Sequence, residues 1–483
     1  MTFFLPGLGV WAALLVCGYF AGAPVIIGFF ASLPFGATAF AALPSLGGSS
    51  PLIYVLFALA IVASVALRRS VLADLGRAFA VYPAAWLVCT LALYAAVSSY
   101  IFPRLFSEQT VAFVPVDGVV TEVPLGPTGG NITQTAYFLL GVFLFLALIV
   151  SLQRREVLGK MANGFFAFVI VHVLLGWVDF AGKLAGAADV LEPIRTASYA
   201  LLTETEQSGF WRIVGGCPEA SSFAAFGMAA LAFAYTWWRE AGSGLALLLT
   251  VAMLVLLILS TSSTAYVGLT ALSLLALVAI GRSALNDRLK PQDIMLAAAV
   301  AVLLAAMFGL FLHDPRLFAP FTDMIDTMVF DKAVSSSGQE RAYWNMRSLQ
   351  SFLETYGLGV GMGSSRSSSW AVSILAQLGL AGGAMVAALL ALLVRGMGRL
   401  RPMPGEVPLF ALCSGARACA IGYLLAGSIA GGTADPGVLF FASLATVLAC
   451  RRHALAARRM AAQPMPARLL PRSLRAAHAM SRP

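Results

Sequence analysis

Apolar runs of about 17 to 25 residues recur along most of this chain, and a run of that length crosses the ~30 Å hydrocarbon core of a bilayer as an α-helix. About twelve can be drawn, at 8–31, 51–67, 83–102, 135–152, 162–181, 222–238, 243–260, 264–281, 292–313, 369–394, 408–430 and 434–450. No strand-like alternation fills them, and backbone groups in hydrocarbon must be hydrogen-bonded within the segment, so helices are favoured over a barrel. The expected fold is all-α, a polytopic membrane helical bundle with about 12 transmembrane helices, outer loops and a short helical subdomain outside the membrane. With 60% hydrophobic and 11% charged residues, the chain is too apolar for a soluble globular domain. Pro24 interrupts the first run, and the eleventh contains Arg417, which either snorkels to the cytoplasmic surface or serves a pore.

Basic residues fall in alternate loops. Arg68, Arg69 and Arg77, then Arg154, Arg155 and Lys160, then Arg239, then Arg282, Arg288 and Lys290, then Arg395, Arg399 and Arg401 share one side. By the positive-inside rule that side is the cytoplasm, and both termini lie there. Most acids fall on the other side, among them Glu108, Asp117, Glu122, Asp189, Glu192, Glu204, Glu206, Asp323, Asp326 and Asp331. The net charge of +9 therefore reflects topology and a basic tail, and implies no nucleic-acid partner. The first apolar run lacks preceding basic residues and reads as a signal anchor. Of the cysteines, only Cys217 lies clearly outside the apolar spans, so neither a disulfide framework nor a metal spacing is offered.

A membrane domain over 1–450 thus carries outer loops at 103–134, 182–221 and 314–368, followed by a tail at 451–483. In the first loop, Val111 to Val116, an Asp117-Gly118 turn and Val119 to Val123 predict a hairpin, and Asn131 with Gln134 predicts the cap of the next span. The second loop carries Arg212 and Glu219 to the start of the sixth span. The third is long enough to expect function from it. Phe318, Phe321, Ile325 and Met328 predict an interfacial helix there, and Ser337 with Glu340 predicts a capping box for a helix that Gly357 stops. On that second helix Glu340, Trp344, Arg347, Ser351 and Glu354 share one face, and Leu349, Phe352, Leu353 and Tyr356 another. The tail has no lasting apolar period and is expected to be disordered on anionic lipid.

Three spans begin on the outer side with hydroxyl-rich caps: Ser221-Ser222, Ser260 to Thr264, and Ser364 to Ser369. Free N–H groups and the positive end of the helix dipole favour a phosphate at such a start. Arg212, Arg341, Arg347 and Arg366 lie beside these caps or one short helix away, and a guanidinium fork suits a diphosphate. Ser364 and Ser365 would join them, while Gly359, Gly361 and Gly363 would admit the ligand close to the backbone. The competing readings are a flexible glycine link, solvated arginines paired with neighbouring acids, and a tight turn at Ser260 to Thr264. His172 and Asp179, seven apart, read either as a proton relay or as a buried histidine with an interfacial acid. No Walker loop, dinucleotide fingerprint, nucleophile elbow or metal cluster is present, so an enzyme of this kind would use no metal or cofactor and its electrophile would arrive already activated.

A Ser/Thr turn at Ser262, two spans, Gly338-Gln-Glu-Arg341 with Trp344, Gly357-Leu-Gly-Val-Gly-Met-Gly and Leu378-Gly-Leu-Ala-Gly-Gly follow one another in order, and Arg212-Ile-Val-Gly215 with Pro218 precedes them. In these motifs the chain resembles the O-antigen polymerase and O-antigen ligase superfamily of bacterial surface-polysaccharide enzymes. It departs at Ser262-Ser263-Thr264, where the family commonly has Ser-Arg, and in lacking a histidine in the long loop after His313, as ligases have; the second departure favours a polymerase. The resemblance implies a metal-independent glycosyl transfer at the outer face of the bacterial inner membrane. A glycan on undecaprenyl diphosphate would pass to the hydroxyl of another lipid-linked repeat unit, with Glu219 or Glu340 taking the proton. Membrane lipids would surround the enzyme, with a chain-length regulator or a flippase as protein partners. The alternatives are ligation of glycan to lipid A or protein, and a transporter or lipid-linked glycan flippase. A transporter commonly shows an internal repeat, and none is clear here.

Overall fold

The computed structural model describes residues 2–43, 49–116, 119–198, 201–203, 206–207, 210–314, 335–395, 402–403 and 405–462. Helices carry most of them, as a chain that must satisfy its own amides in hydrocarbon requires. They are α1 (Leu5–Phe20), α2 (Pro24–Ser32), α3 (Ile53–Ala66), α4 (Val71–Val81), α5 (Pro83–Leu105), α6 (Gly129–Ser151), α7 (Arg155–Leu184) and α8 (Ala220–Ala241). Then come α9 (Gly244–Leu259), α10 (Ser263–Leu285), α11 (Pro291–His313), α12 (Ser336–Glu354), α13 (Trp370–Val394), α14 (Val407–Ala430) and α15 (Gly437–Ala462). The strands form three antiparallel pairs: β1 (Thr2–Phe3) with β2 (Ala41–Ala42), β3 (Val111–Val116) with β4 (Val119–Pro124), and β5 (Glu206–Gln207) with β6 (Phe210–Trp211).

All twelve predicted runs fall in helices, and nine of the described helices are long and apolar enough to cross a membrane, which makes this a multi-pass membrane protein. The other runs are corrected in form. The first breaks at Gly22, whose φ is +75°, and Pro24 opens α2 because its missing N–H and fixed φ suit the first helical position. The second ends at Ala66, bends by 102°, and continues as the unpredicted α4. The seventh, α9, has 16 residues, about 24 Å of helix.

The core is built where small residues let helices approach. A Cβ on Gly422 of α14 would lie 2.7 Å from the Met228 carbonyl oxygen of α8, so only glycine permits this crossing. Aromatic rings fill the space between, with Phe165 and Phe233 stacked at 4.9 Å and Phe30 4.4 Å from Phe165. At the opposite extreme, none of the apolar window of α11 is buried. That helix is held at its first turn, where Arg239 meets both oxygens of Asp293 at 2.5 and 2.9 Å.

Outside the bundle the predicted hairpin is present, with Val111 opposite Pro124 and Val116 opposite Val119. Two predicted caps shift. Ser335, not Ser337, accepts the Gly338 N–H at the start of α12, and Asn131 sits inside the first turn of α6, reaching back to the Thr128 N–H at 2.8 Å. The tail expected to be disordered from 451 instead continues α15 to Ala462, while its remainder, the expected interfacial helix at Phe318–Met328 and the Asp117-Gly118 turn lie outside the described residues.

Candidate functional site

The second outer loop is fixed from beneath by a buried ionic network. Asp179, near the end of α7, accepts from Lys183 at 2.9 Å, from Arg195 at 3.1 Å, and from the backbone N–H groups of Val214 and Gly215 at 2.8 and 3.1 Å. Arg195 also donates to the Gly215 carbonyl at 2.9 Å, and Lys183 to the Arg212 carbonyl at 2.7 Å. The side chains of all three ions are at most 1% exposed. Asp179 is thus occupied by cations and amides, while His172 contacts the Phe223 carbonyl at 3.1 Å and stacks on the Phe223 ring. The two residues have separate partners, so the relay reading finds no link between them.

On this platform stands Arg212. Its Nε is buried without a hydrogen bond, and its charged surroundings are Glu219 and Arg341. Burial pulls the guanidinium below its ordinary pKa; Glu219 opposes that shift and Arg341 reinforces it. Arg212 therefore feels one carboxylate and a second cation from another loop. Glu219 is the N-cap residue of α8 and spends its carboxylate on the Ser221 and Ser222 hydroxyls, without a side-chain bond to the first-turn N–H groups. Those donors lie at the helix start whose N-cap carboxylate acts on Arg212.

Arg341 lies on α12 in line with Asn345 and Ser348 at helical spacing. Along that face runs the segment leading to α13: Asn345 accepts the Ser368 N–H at 2.8 Å, and Ser348 donates to the Arg366 carbonyl at 3.5 Å. The Arg366 side chain is exposed and lies over Gly432, where a Cβ would be 3.2 Å from its Nε. The structure gives Arg347 another role. It pairs with Glu122 of β4 at 3.3 Å and with Glu354 at 3.1 Å, tying α12 to the hairpin. Glu354 also accepts from Thr110, and this hydrogen bond, with Arg347 adding to it, holds its carboxyl below the usual glutamate range. Glu340 is exposed on α12.

The serine and glycine assignments are corrected. Ser364 is fully buried, donating to the Val360 carbonyl at 2.8 Å and accepting from Asn131 at 2.8 Å. Ser365 accepts the Phe113 N–H at 3.0 Å. Both hydroxyls fasten the loop to its neighbours. Gly359, Gly361 and Gly363 have φ of +85°, +92° and +77°, and protein backbone occupies the place expected for a ligand. Added Cβ atoms would lie 2.8 Å from the Gln377 carbonyl oxygen, 2.5 Å from that of Ser98, and 2.4 Å from that of Gly130. Nor is the tract a flexible link. Gly379 breaks α13 at φ +63°, and the freed backbone groups are met by the loop: Val360 donates to Ala376 at 2.8 Å, Gly361 to Gln377 at 3.0 Å, and Leu380 to Gly357 at 2.9 Å. The Gln377 side chain completes the join through the Gly363 N–H and the Ser365 carbonyl, both at 2.7 Å.

Ser260 to Thr264 forms the buried turn into α10, with Thr261 at φ +46° and the Thr261 and Ser262 hydroxyls lacking hydrogen bonds. Arg417 reaches the Val394 carbonyl, the last of α13, at 3.4 Å, at the end of that helix away from the arginine cluster. Sequence reasoning missed Lys183, Arg195 and Gln377. The Asp179/Lys183 spacing of four was a readable signal for an ion pair on one helix face. Gln377, an amide inside an apolar run, was a second. Nothing local marks Arg195. No protein-family model matches this chain, and no curated protein matches it significantly in sequence.

Proposed function

We propose that this chain is a membrane glycosyltransferase of the polysaccharide-polymerase type, acting at the periplasmic face of a bacterial inner membrane with both termini in the cytoplasm. Its substrates are undecaprenyl diphosphate-linked oligosaccharides, one as donor and one as acceptor, in O-antigen or exopolysaccharide synthesis. One observation carries the reading: half-buried Arg212 lies in the electrostatic field both of Glu219, at the uncapped start of α8, and of a second cation, Arg341, from another loop. Like charges held together in a half-buried place are costly unless an anion joins them. A departing lipid diphosphate supplies two negative groups, and fixed guanidiniums with open N–H donors stabilise the charge as it develops. The apolar helices around the site suit a donor whose tail stays in the bilayer.

The test is incubation of purified, detergent-solubilised protein with undecaprenyl diphosphate oligosaccharide extracted from the producing cells, with no other acceptor. A ladder of lengthened glycans supports polymerisation. Product that appears only after lipid A or a protein acceptor is added replaces polymerisation with ligation. Movement of the lipid-linked glycan across sealed vesicles without lengthening would make the protein a flippase.

A further inference from the structure

The turn at 431–436, which joins α14 to α15, contributes a carboxylate to the same end of the bundle. Gly432 lies under the Arg366 side chain, and a Cβ there would also be 3.3 Å from the Ser367 carbonyl oxygen. Three residues on, between buried Ala434 and Pro436, Asp435 accepts the Gly437 N–H at 2.8 Å. Among the described residues no cation forms an ion pair with it. Gly437 itself packs at the Tyr423 hydroxyl of α14, 3.3 Å from where its Cβ would be. Tyr423 lies within electrostatic reach of both Asp435 and Cys217, and Cys217 within reach of Glu219. Asp435 is thus linked electrostatically, through Tyr423 and Cys217, to Glu219 at the same end of the bundle.

The three acids at this end differ in what they are free to do. Glu219 accepts the hydroxyls of Ser221 and Ser222 at Oε1 and acts electrostatically on Arg212. Glu340 stands exposed. Asp435 is sheltered, accepts the Gly437 amide of α15, and lies within electrostatic reach of Tyr423 from α14, in a turn whose Gly432 sits under the Arg366 side chain. Burial pushes its carboxyl up to about 6, against the Gly437 hydrogen bond, which suits a base working near neutral pH.

We infer that Asp435 is the catalytic proton acceptor of the transfer proposed above, an inference that rests on that reading. Its carboxylate takes the proton of the acceptor hydroxyl as that oxygen bonds to the anomeric carbon of the donor sugar. The anomeric carbon–oxygen bond to the lipid diphosphate breaks, and the diphosphate leaves with the bonding pair toward Arg212 and Arg341.

The experiment measures two things on full-length wild type, Asp435→Asn, Asp435→Glu and Arg341→Ala: retention of undecaprenyl diphosphate, and the rate of glycan lengthening as a function of pH. Asp435→Asn is expected to retain the lipid as wild type does and to lengthen glycan at least about 100-fold more slowly. Asp435→Glu recovers part of the rate with a displaced acid limb, and the wild-type limb has its midpoint near 6. Lengthening by Asp435→Asn within about threefold of wild type, with the acid limb unchanged, overturns the inference and leaves the transferase reading standing. Wild type that retains no lipid diphosphate and makes no product overturns both. Should the asparagine variant fail to fold, dicyclohexylcarbodiimide on wild type decides. Labelling of Asp435 that stops lengthening and is blocked by the donor lipid supports the assignment; labelling that leaves lengthening intact overturns it.

Discussion

Lys183 donates at 2.7 Å to the carbonyl of Arg212, so the residue whose guanidinium faces Arg341 is held through its backbone by an ammonium sealed from water. The ammonium is itself balanced by Asp179. Asp179→Asn would leave Lys183 and Arg195 buried without their shared counter-charge. Removing one partner of a buried ionic set costs about 3–5 kcal/mol, and a loss of that size is expected in the thermal or denaturant unfolding of the solubilised protein. Unfolding indistinguishable from wild type would mean that this network does not hold the loop.

Arg341 and Arg347, less than two turns apart on one helix, should behave differently when truncated. Arg347 is spent on Glu122 and Glu354, which are partly exposed, so Arg347→Ala is expected to lower stability by at most about 1 kcal/mol and to leave diphosphate retention unchanged. Arg341→Ala is expected to leave stability unchanged and to weaken retention of undecaprenyl diphosphate by about 10- to 100-fold, the worth of one charged hydrogen-bond donor. Titration of the two purified variants with the lipid separates these outcomes, and a reversed pattern would move the site to the hairpin side of α12.

Gly363→Ala would place a methyl group 2.4 Å from the Gly130 carbonyl oxygen at a φ of +77°. Steric overlap and left-handed strain together are expected to cost about 3 kcal/mol or more. Gly126→Ala, with nothing within 4 Å of its Cβ, is the control and should change the unfolding midpoint little. Equal midpoints for the two variants would contradict the packing described for the glycine tract.

The contact between α12 and the hairpin carries a pH dependence. The Glu354 carboxyl is lowered by its hydrogen bond from Thr110, with Arg347 adding to the shift. A depressed carboxyl contributes stability that is fully present above the ordinary glutamate range and is lost as pH falls through the lowered value. Amide hydrogen exchange of Val111 to Val114 and Val120 to Val123, followed downward in pH and corrected for intrinsic rates, should show protection lost in that acid window. In Glu354→Gln the step should vanish.

The membrane spans were legible because an apolar stretch of bilayer length has few other uses. The alternation around residues 111–123 was legible as a hairpin for a similar local reason. What escaped depends on contacts distant in sequence. The bend after Ala66 turns an apparent loop into α4, although Val71, Leu75 and Phe79 were already at helical spacing. Ser335 outcompetes Ser337 as the cap by the placement of one turn, and helix ends are the least determined part of any element. At the site, the sequence named Arg212, Glu219 and Arg341, which the fold brings into one electrostatic neighbourhood. It also named Arg347, Ser364 and Ser365, each of which is engaged by a residue more than two hundred positions away, in β4, α6 and β3 respectively. Nothing in their local spacing could separate the engaged residues from the unengaged ones. Asp435 was passed over because it is a lone acid between glycine, alanine and proline in a short turn.

A tract with glycine at every second position invites comparison with a hinge. In this protein it behaves as a splice. Val360, Gly361 and Leu380 exchange bonds with the interrupted ladder of α13, and peeling the tract away would strand amides and carbonyls in a region with little water, at several kcal/mol for each group. Any motion that opens this end of the bundle must therefore pivot on other parts of the molecule, with residues 357–363 as the stationary wall against which it is made.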